Sequence, residues 1–240
     1  MKDDSGNPAG TFEFTQFLVL ERPEMVDYLR SGWKMSLSVC IDFTASNGDI
    51  ASPYSLHYID PTNPLRMNSY EEGILRVGTI LEPYDYDRKF PVFGFGAKPR
   101  YMGIESVSHC FHLNGYENPE VEGVNGILES YRNAMYGGIS LSGPTNFSTW
   151  LKTIINFVKG NLHNFEYMIV LYVTDGAITD MTETIDSIVE ASYLPISIII
   201  VGVGDADFTR MEILDSDDDV LHNSAGHKAV RDIVQFVEFK

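Results

Sequence analysis

Strongly apolar runs alternate with amphipathic segments along most of this chain. Residues 168–175 (MIVLYVTD) and 196–203 (ISIIIVGV) are apolar at nearly every position rather than at every second one. Such runs are typical of strands buried on both faces, as in a parallel sheet that helices cover on both sides. Further strands are predicted at 11–20, 36–42, 90–96, 108–113 and 234–239.

Between the strands, apolar residues recur at helical spacing. The pattern over 69–81 places four of them on one face: Tyr70, Ile74, Val77 and Leu81. Ser69 and Glu72 have the spacing of a capping box at its start. Helices are also predicted around 25–29, 124–135, 147–158, 179–193 and 206–214. This alternation predicts an α/β fold with a Rossmann-like, doubly wound, mostly parallel sheet flanked by helices.

Composition narrows the classes of function. The chain has 240 residues, enough for one large α/β domain with a short tail. Its formal net charge of -17 disfavours binding to nucleic acid and to anionic membranes, because like charges repel. Residues 1–10 lack the apolar core of a signal peptide, and Cys40 and Cys110 are too few for a disulfide framework. We therefore expect a cytoplasmic protein with two buried thiols.

Candidate chemistry lies where two predicted strands end. Asp42 ends one of them and is followed at alternate positions by Thr44 and Ser46. Asp175 ends the later strand, and Thr145 lies between the two in a segment predicted to open a helix. Because ligands bind at the carboxyl ends of strands in such sheets, we expect these five side chains to converge.

An all-oxygen set of two carboxylates and three hydroxyls suits Mg²⁺, Mn²⁺ or Ca²⁺ better than zinc. These side chains cannot fill and neutralise an octahedral shell alone, so water or an outside ligand must complete it. Each piece by itself also fits an ordinary helix cap or turn. Their combination and order favour a metal site.

The motif Asp-x-Thr-x-Ser, then a threonine, then Thr-Asp-Gly resembles the metal-ion-dependent adhesion site of von Willebrand factor A domains. Longer words resemble copines: IDFTASNGD at 41–49, SLHYIDP at 55–61, FGFGAK at 93–98, GPTNF at 143–147, LPISIIIVGVG at 194–204 and RDIVQFV at 231–237. The resemblance implies a von Willebrand factor A-type domain. It also implies that Mg²⁺, or Mn²⁺ or Ca²⁺, is bound by Asp42, Thr44, Ser46, Thr145 and Asp175.

The resemblance also implies a domain organisation. Copines carry two calcium-dependent lipid-binding β-sandwich domains before the A domain, and residues 11–20 resemble only the last strand of the second. We therefore predict a disordered tail over 1–10, a remnant of a lipid-binding domain plus linker over 11–33, and the A domain over 34–240. Membrane recruitment in response to calcium is then expected of full-length relatives, through domains that this chain lacks.

The predicted function is a divalent-cation-dependent protein-binding module, not an enzyme, whose targets present an acidic residue to the metal. The alternative is a metal-dependent hydrolase that uses the same strand-end pocket. A phosphatase of the haloacid dehalogenase type needs a second aspartate where Thr44 stands. A dinucleotide-binding or P-loop enzyme needs a glycine-rich turn after the first strand, and residues 43–47 contain no glycine.

Overall fold

The computed structural model describes residues 24–215 and 220–239, together with residues 6, 13 and 18. The chain separates into two compact units, Met1–Gly32 and Trp33–Lys240. The first unit contains helix α1 (Met25–Arg30), which confirms the helix predicted there; at its start the Asp27 carboxylate accepts a hydrogen bond from the Glu24 amide at 3.0 Å. Apart from residues 13 and 18, the strand predicted over 11–20 lies outside the described residues.

The second unit alternates strands and helices. Its strands are β1 (Lys34–Asp42), β2 (Lys89–Phe95), β3 (Ala97–Pro99), β4 (Phe111–His112), β5 (Glu120–Glu122), β6 (Ile139–Leu141), β7 (Glu166–Thr174), β8 (Ile196–Val203) and β9 (Val234–Phe239). Its helices of more than one turn are α2 (Ser69–Leu81), α3 (Gly123–Tyr136), α4 (Ser148–Gly160), α5 (Met181–Ala191) and α6 (Thr209–Asp215). The prediction of an α/β fold is confirmed.

The main sheet has the order β4-β2-β1-β7-β8-β9, with β5 also paired to β2, and β3 and β6 form a separate two-stranded sheet. The pairs β1–β2, β1–β7, β7–β8 and β8–β9 are parallel, while β4 and β5 run antiparallel to β2. After β1 the chain continues to β2 on one side of β1, whereas after β7, on the other side of β1, it continues in the opposite direction to β8 and β9. The strand order therefore reverses between β1 and β7. In open α/β sheets ligands bind at this point of reversal, which is called the switch point.

The core has two parts, one on each side of the main sheet. Successive residues of β7 alternate between them: Met168, Val170 and Tyr172 join one cluster. Ile169, Leu171 and Val173 join the other. Residues from α4, α5 and α6 complete the first cluster, and residues from α2 and α3 complete the second. Burial on both faces explains why these strands carry apolar residues at every position.

The guanidinium group of Arg231 donates hydrogen bonds at the beginning of β7 and β8. Arg231 donates hydrogen bonds to the carbonyl oxygens of Leu194 and Ile196, each at 2.6 Å. It also donates to the Tyr167 hydroxyl at 3.1 Å. Tyr167 and Ile196 stand near the first residues of their strands, so this end of the sheet is opposite to the one where Thr174 ends β7. A cationic side chain of the protein thus satisfies main-chain oxygens there.

Some predicted element boundaries are wrong for local reasons. The strand predicted over 108–113 shrinks to Phe111–His112, because the Ser108 hydroxyl donates to the Cys110 carbonyl at 3.1 Å and closes a bend. That bend also leaves Cys110 half-buried, whereas Cys40 is fully buried as predicted. The helix over 69–81 is confirmed, but Asn68 and not Ser69 forms the capping box, with Glu71 as its partner.

None of the described helices combines the length and the apolar character needed to cross a bilayer.

Candidate metal centre

Both predicted carboxylates lie at the switch point. Asp42 is the last residue of β1 and is completely buried. Asp175 directly follows Thr174, the last residue of β7, and is 5% exposed. The two strands are paired in register up to Ile41 and Val173, so the carboxylates leave adjacent strand ends. The sheet itself therefore brings together two residues that are far apart in the sequence.

The loop after β1 folds its hydroxyls toward these carboxylates. The Thr44 amide donates to Asp42 Oδ1 at 2.8 Å, which turns the chain back over the strand end. Thr44 Oγ1 lies 2.9 Å from Ser46 Oγ, and Ser46 Oγ donates to Asp175 Oδ1 at 2.9 Å. Four of the five predicted residues are therefore joined by direct hydrogen bonds across the two loops.

Thr145, the fifth predicted residue, reaches the same place from a third loop. A Cβ atom placed on Gly176 would lie 3.3 Å from Thr145 Oγ1 and 3.5 Å from Ser46 Oγ, so both hydroxyls border this glycine. Thr145 is buried, and its carbonyl accepts hydrogen bonds from the Thr179 amide and hydroxyl at 2.9 and 2.8 Å. The absence of a side chain at Gly176 leaves these oxygens room next to Asp175.

The prediction that Thr145 opens a helix is wrong, because α4 begins at Ser148. The cap comes from a distant residue. The Asp180 carboxylate accepts hydrogen bonds from the amides of Phe147 and Ser148 at 3.0 and 2.9 Å. Thr145 is thereby freed from a capping role, and its hydroxyl is left at the strand ends.

Two further residues contribute that the sequence prediction did not include. The Thr174 hydroxyl donates to Asp42 Oδ2 at 2.5 Å. Asn47, which is almost completely buried, donates from Nδ2 to Asp175 Oδ1 at 2.9 Å and to the Thr44 carbonyl at 3.1 Å. Asn47 directly follows Ser46, and Thr174 directly precedes Asp175 as the first residue of the Thr-Asp-Gly motif. This adjacency to predicted residues is the signal that could have identified them.

The electrostatics of the pair favour a cation. Burial raises the pKa of Asp42 to about 6, against the opposing effect of hydrogen bonds from Thr174 and Thr44. Burial, and then the charge of Asp42, raises the pKa of Asp175 to about 7. Among the described ion pairs none involves either carboxylate. Two buried like charges without a counterion are destabilising, and a divalent cation between them would remove that cost.

The donor set fits a hard divalent cation. It consists of carboxylate and hydroxyl oxygens, the ligands that Mg²⁺, Mn²⁺ and Ca²⁺ prefer. Within the described part of the chain, no three histidine, cysteine, aspartate or glutamate side chains are grouped so that they could hold a metal by themselves. A cation here would thus rest on hydroxyls and two carboxylates: Asp42, Thr44, Ser46, Thr145 and Asp175.

A cleft of about 420 Å³ lies beside the loop after β1. One wall is formed by that loop, including Ala45, Gly48 and Ile50, and the other by residues 138–141 around β6. The Ala45 amide donates to the Ser142 carbonyl at 2.6 Å, so the two walls are joined next to Thr44. None of the five candidate ligands lines this cleft; it adjoins them through Ala45, which stands between Thr44 and Ser46 in the sequence.

A sequence model of the copine family matches residues 55–240. This chain belongs to the copine family. It is 48% identical over 220 residues to Protein BONZAI 1 of Arabidopsis thaliana, an alignment that covers 90% of this chain and 37% of that protein. Protein BONZAI 2 of the same plant is 47% identical over 219 residues, covering 90% of this chain and 36% of that protein. This copine-family chain thus spans little more than a third of the length of these relatives.

Solved structures with the same fold are far more distant in sequence. The manganese-loaded TRAP protein of Plasmodium vivax aligns with a TM-score of 0.52 at 10% identity, over 85% of this chain and 68% of that one. The SpRpn10 VWA domain aligns with a TM-score of 0.50 at 9% identity, over 86% of this chain and 88% of that one. These likenesses show that the copine-family chain has a von Willebrand factor A-type fold, as its sequence predicts.

Proposed function

We propose that this copine-family chain is a divalent-cation-dependent protein-binding module that recruits target proteins. The observation that carries the proposal is the convergence of Asp42 and Asp175, both buried and outside the described ion pairs, with three hydroxyls at adjacent strand ends. The family and the fold support an interaction module; the dependence on a cation is our addition. Its ligands would be Asp42, Thr44, Ser46, Thr145 and Asp175.

Mg²⁺ is the proposed cation, with Mn²⁺ and Ca²⁺ as the alternatives. The all-oxygen ligand set supports any of the three. That a protein of the same fold, the TRAP protein, is manganese-loaded supports the proposal of a divalent cation in this chain. Calorimetric titration of the purified chain with each ion in turn ranks them.

The partner would supply an acidic residue. In this proposal the hydroxyls of Thr44, Ser46 and Thr145 bind the cation directly and one aspartate acts through water. Hydroxyl ligands carry no charge, so such a cation keeps an attraction for a further carboxylate. Ser46 is exposed, which leaves this side of the site open to a partner. The chain's net charge of -17 repels acidic surfaces elsewhere, so the cation would give one local reversal of sign. The cleft beside Ala45 offers room for residues next to the partner's acidic one.

No observation favours the hydrolase alternative. Hydrolysis needs a general base or nucleophile that is free to act near the metal. Asp42 and Asp175 are engaged with the loops, and His57, which touches the site, is fully buried with both ring nitrogens hydrogen-bonded. We expect no turnover of p-nitrophenyl phosphate with Mg²⁺ or Mn²⁺, and measurable turnover that Asp42→Ala abolishes would reverse this assignment.

Direct membrane binding by this chain is not part of the proposed function. Its strong negative charge opposes docking on anionic headgroups. We expect the chain to stay in the supernatant with phosphatidylserine vesicles at millimolar calcium. Sedimentation with the vesicles would mean that this chain itself contributes to membrane recruitment.

The proposal is tested on a partner isolated with the wild-type chain in the presence of Mg²⁺. Affinity is then measured with Mg²⁺, with chelator, and with Thr145→Ala. We expect chelator to abolish binding, Thr145→Ala to weaken it, and a partner variant with its acidic residue changed to the amide to bind no better than the chelated protein. Equal affinity under all these conditions would show that the partner contacts another surface.

A further inference from the structure

The loop after β1 is held by a second segment that contains none of the proposed ligands. The Leu56 amide donates to the Asn47 carbonyl at 3.1 Å, and the Ser55 hydroxyl donates to the same oxygen at 2.9 Å. The His57 amide in turn donates to the Ser55 hydroxyl at 3.2 Å. Residues 55–57 therefore form a latch on the main chain of the loop.

His57 extends this latch to Asp42 itself. Its ring is fully buried, with Nε2 2.8 Å from the Asp42 carbonyl oxygen and Nδ1 2.8 Å from the Tyr131 hydroxyl oxygen. A carbonyl can only accept, so Nε2 carries the hydrogen and donates. Burial lowers the pKa of His57 to about 3, so the ring is neutral and Nδ1 accepts from Tyr131. The hydrogen bonds from the Tyr131 hydroxyl to His57 and from His57 to the Asp42 carbonyl form a relay, and the position of each hydrogen in it is thereby assigned.

The relay is anchored in two helices. Asn68 Nδ2 donates to the Tyr131 hydroxyl at 3.0 Å, and Asn68 Oδ1 caps α2 by accepting from the Glu71 amide at 3.0 Å. The buried Glu71 carboxylate pairs with Arg132 of α3. Fully satisfied buried networks of this kind rigidify the groups they join. The relay thus connects the Asp42 carbonyl to the packed pair of α2 and α3.

Ring packing fixes the direction of the donor. The His57 ring stacks on Tyr70 at 4.1 Å between centroids and on Phe43 at 5.1 Å. Because Phe43 directly follows Asp42, the imidazole contacts the metal loop both through its Nε2–H and through its face. Together with the two hydrogen bonds of the ring, these stacking contacts hold Nε2 toward the carbonyl.

We propose that His57 is a positioning residue for the candidate metal centre, holding the Asp42 main chain so that the loop after β1 presents its oxygens ready to bind a cation. The inference has two halves, that His57 holds the loop and that the held loop binds a cation more tightly, and the second half rests on the proposed function. His57 makes no hydrogen bond to a proposed ligand oxygen and acts through the main-chain carbonyl of Asp42. The Asp42 carboxylate in turn accepts a hydrogen bond from the Thr44 amide. Partners that orient metal ligands in this way typically change metal affinity 10- to 100-fold when they are removed.

The test compares three variants of the full chain. His57→Phe keeps the stacked ring and removes both nitrogens, and His57→Gln restores a donor of similar reach. Tyr131→Phe removes the hydroxyl that orients the ring. The matched control is Tyr167→Phe, which also removes one hydrogen-bonded tyrosine hydroxyl but at the opposite end of β7.

Two measurements are made well below the unfolding temperature. Mn²⁺ affinity is measured by electron paramagnetic resonance, and hydrogen exchange is measured in metal-free protein at the amides of Thr44, Ala45, Asn47 and Gly48. We expect His57→Phe to weaken Mn²⁺ binding about tenfold or more and to speed exchange of those amides, with β8 amides unchanged. His57→Gln should recover much of both losses, Tyr131→Phe should show a smaller loss, and Tyr167→Phe should match the wild type.

The two halves of the inference fail in different ways. If His57→Phe folds and matches the wild type in Mn²⁺ affinity and loop exchange, His57 is only a core residue and the inference is overturned. If His57→Phe and Tyr167→Phe lose affinity equally, the effect is general destabilisation, which also overturns it. A wild-type chain that binds no Mn²⁺ overturns the proposed function, while the exchange data still decide whether His57 holds the loop.

Discussion

The two sides of the main sheet are built differently, although both are densely packed. On the side of α4, large rings fill space: Trp150 is fully buried and packs edge-on against Tyr172 at 4.6 Å between centroids. On the side of α2 and α3, Tyr70 stacks on both His57 and Tyr131, and His57 and Tyr131 carry the hydrogen-bonded relay. One side holds the sheet together, whereas the other also controls the shape of a loop.

Burial alone therefore does not identify the role of a core residue. Removing a ring from the α4 side should cost stability and leave the candidate centre intact. Removing a polar atom from the α2–α3 side should change the centre more than its loss of buried area suggests. Each prediction below tests this separation.

The largest expected effect is on stability. Trp150→Ala leaves a large cavity, so we expect the free energy of unfolding to fall by about 3–5 kcal/mol, measured by urea titration. Mg²⁺ affinity measured at 10 °C should stay close to that of the wild type. A large loss of affinity in the folded variant would show that the α4 side also shapes the centre.

Removing a proposed ligand comes next. Asp42→Ala should weaken Mg²⁺ binding by about a hundredfold, which corresponds to about 2.7 kcal/mol, because a charged oxygen ligand is lost. The control is Asp85→Ala, another buried aspartate that accepts hydrogen bonds from main-chain amides, those of Leu37 and Arg88, at 2.8 and 2.7 Å. Calorimetry should find normal Mg²⁺ affinity in the control; equal losses in both would remove Asp42 from the ligand set.

The relay should make the α2–α3 side sensitive to acid. Burial lowers the pKa of His57 to about 3, below its ordinary value, so the unfolded chain binds more protons between about pH 6.5 and pH 3. Stability from this residue is present at neutral pH and lost as the pH falls through that window, by about 2 kcal/mol between pH 6.5 and pH 5. The neighbouring rings, Tyr70 and Tyr131, stay neutral there, whereas the carboxylates Asp42 and Asp175 titrate in both proteins.

Chemical denaturation of the wild type and of His57→Phe at several pH values checks this expectation. The variant should lose less stability on acidification than the wild type. Parallel curves would show that His57 is not buried as a neutral ring in solution.

The smallest expected effect concerns the space between the loops. Gly176→Ala would place a methyl group 3.3 Å from Thr145 Oγ1 and 3.5 Å from Ser46 Oγ. We expect the two hydroxyls to move apart slightly, with Mg²⁺ affinity lowered about tenfold and stability changed by less than about 1 kcal/mol. Unchanged affinity in titration calorimetry would place the cation away from these two oxygens.

Much of the fold is predictable from the sequence because the signals are local. The buried strand Ile196–Val203 and the helix Ser69–Leu81 have the bounds that their patterns predict. The three-residue strands were not predicted, since so few residues display no periodicity: Ala97–Pro99, Glu120–Glu122 and Ile139–Leu141. Glu120–Glu122 pairs with the longer strand β2, whereas Ala97–Pro99 and Ile139–Leu141 pair with each other, a contact between segments distant in the sequence.

The candidate centre was predictable where its residues follow strands and not where contacts are distant in sequence. The meeting of Asp42 with Asp175 follows from neighbouring strand ends, although their role as metal ligands stays a prediction. The cap that Asp180 gives to α4 spans 33 and 32 positions of sequence, and the contact of His57 with Tyr131 spans 74. No pattern within a short window reports such pairs, so the helix start after Thr145 and the part played by His57 became visible only in three dimensions.

The two ends of the main sheet differ in where their positive charge comes from, because Arg231 is present at only one of them. At the end where β7 and β8 begin, the positive charge belongs to a side chain of the protein, so these hydrogen bonds need no ion from the solution. At the opposite end the described ion pairs leave Asp42 and Asp175 out, and under the proposed function their positive charge is supplied from outside. Folding stability then rises with the logarithm of free cation concentration once that exceeds the dissociation constant, by about 2.7 kcal/mol at a hundredfold excess. The domain would in this way register the ionic composition of its surroundings at one end only.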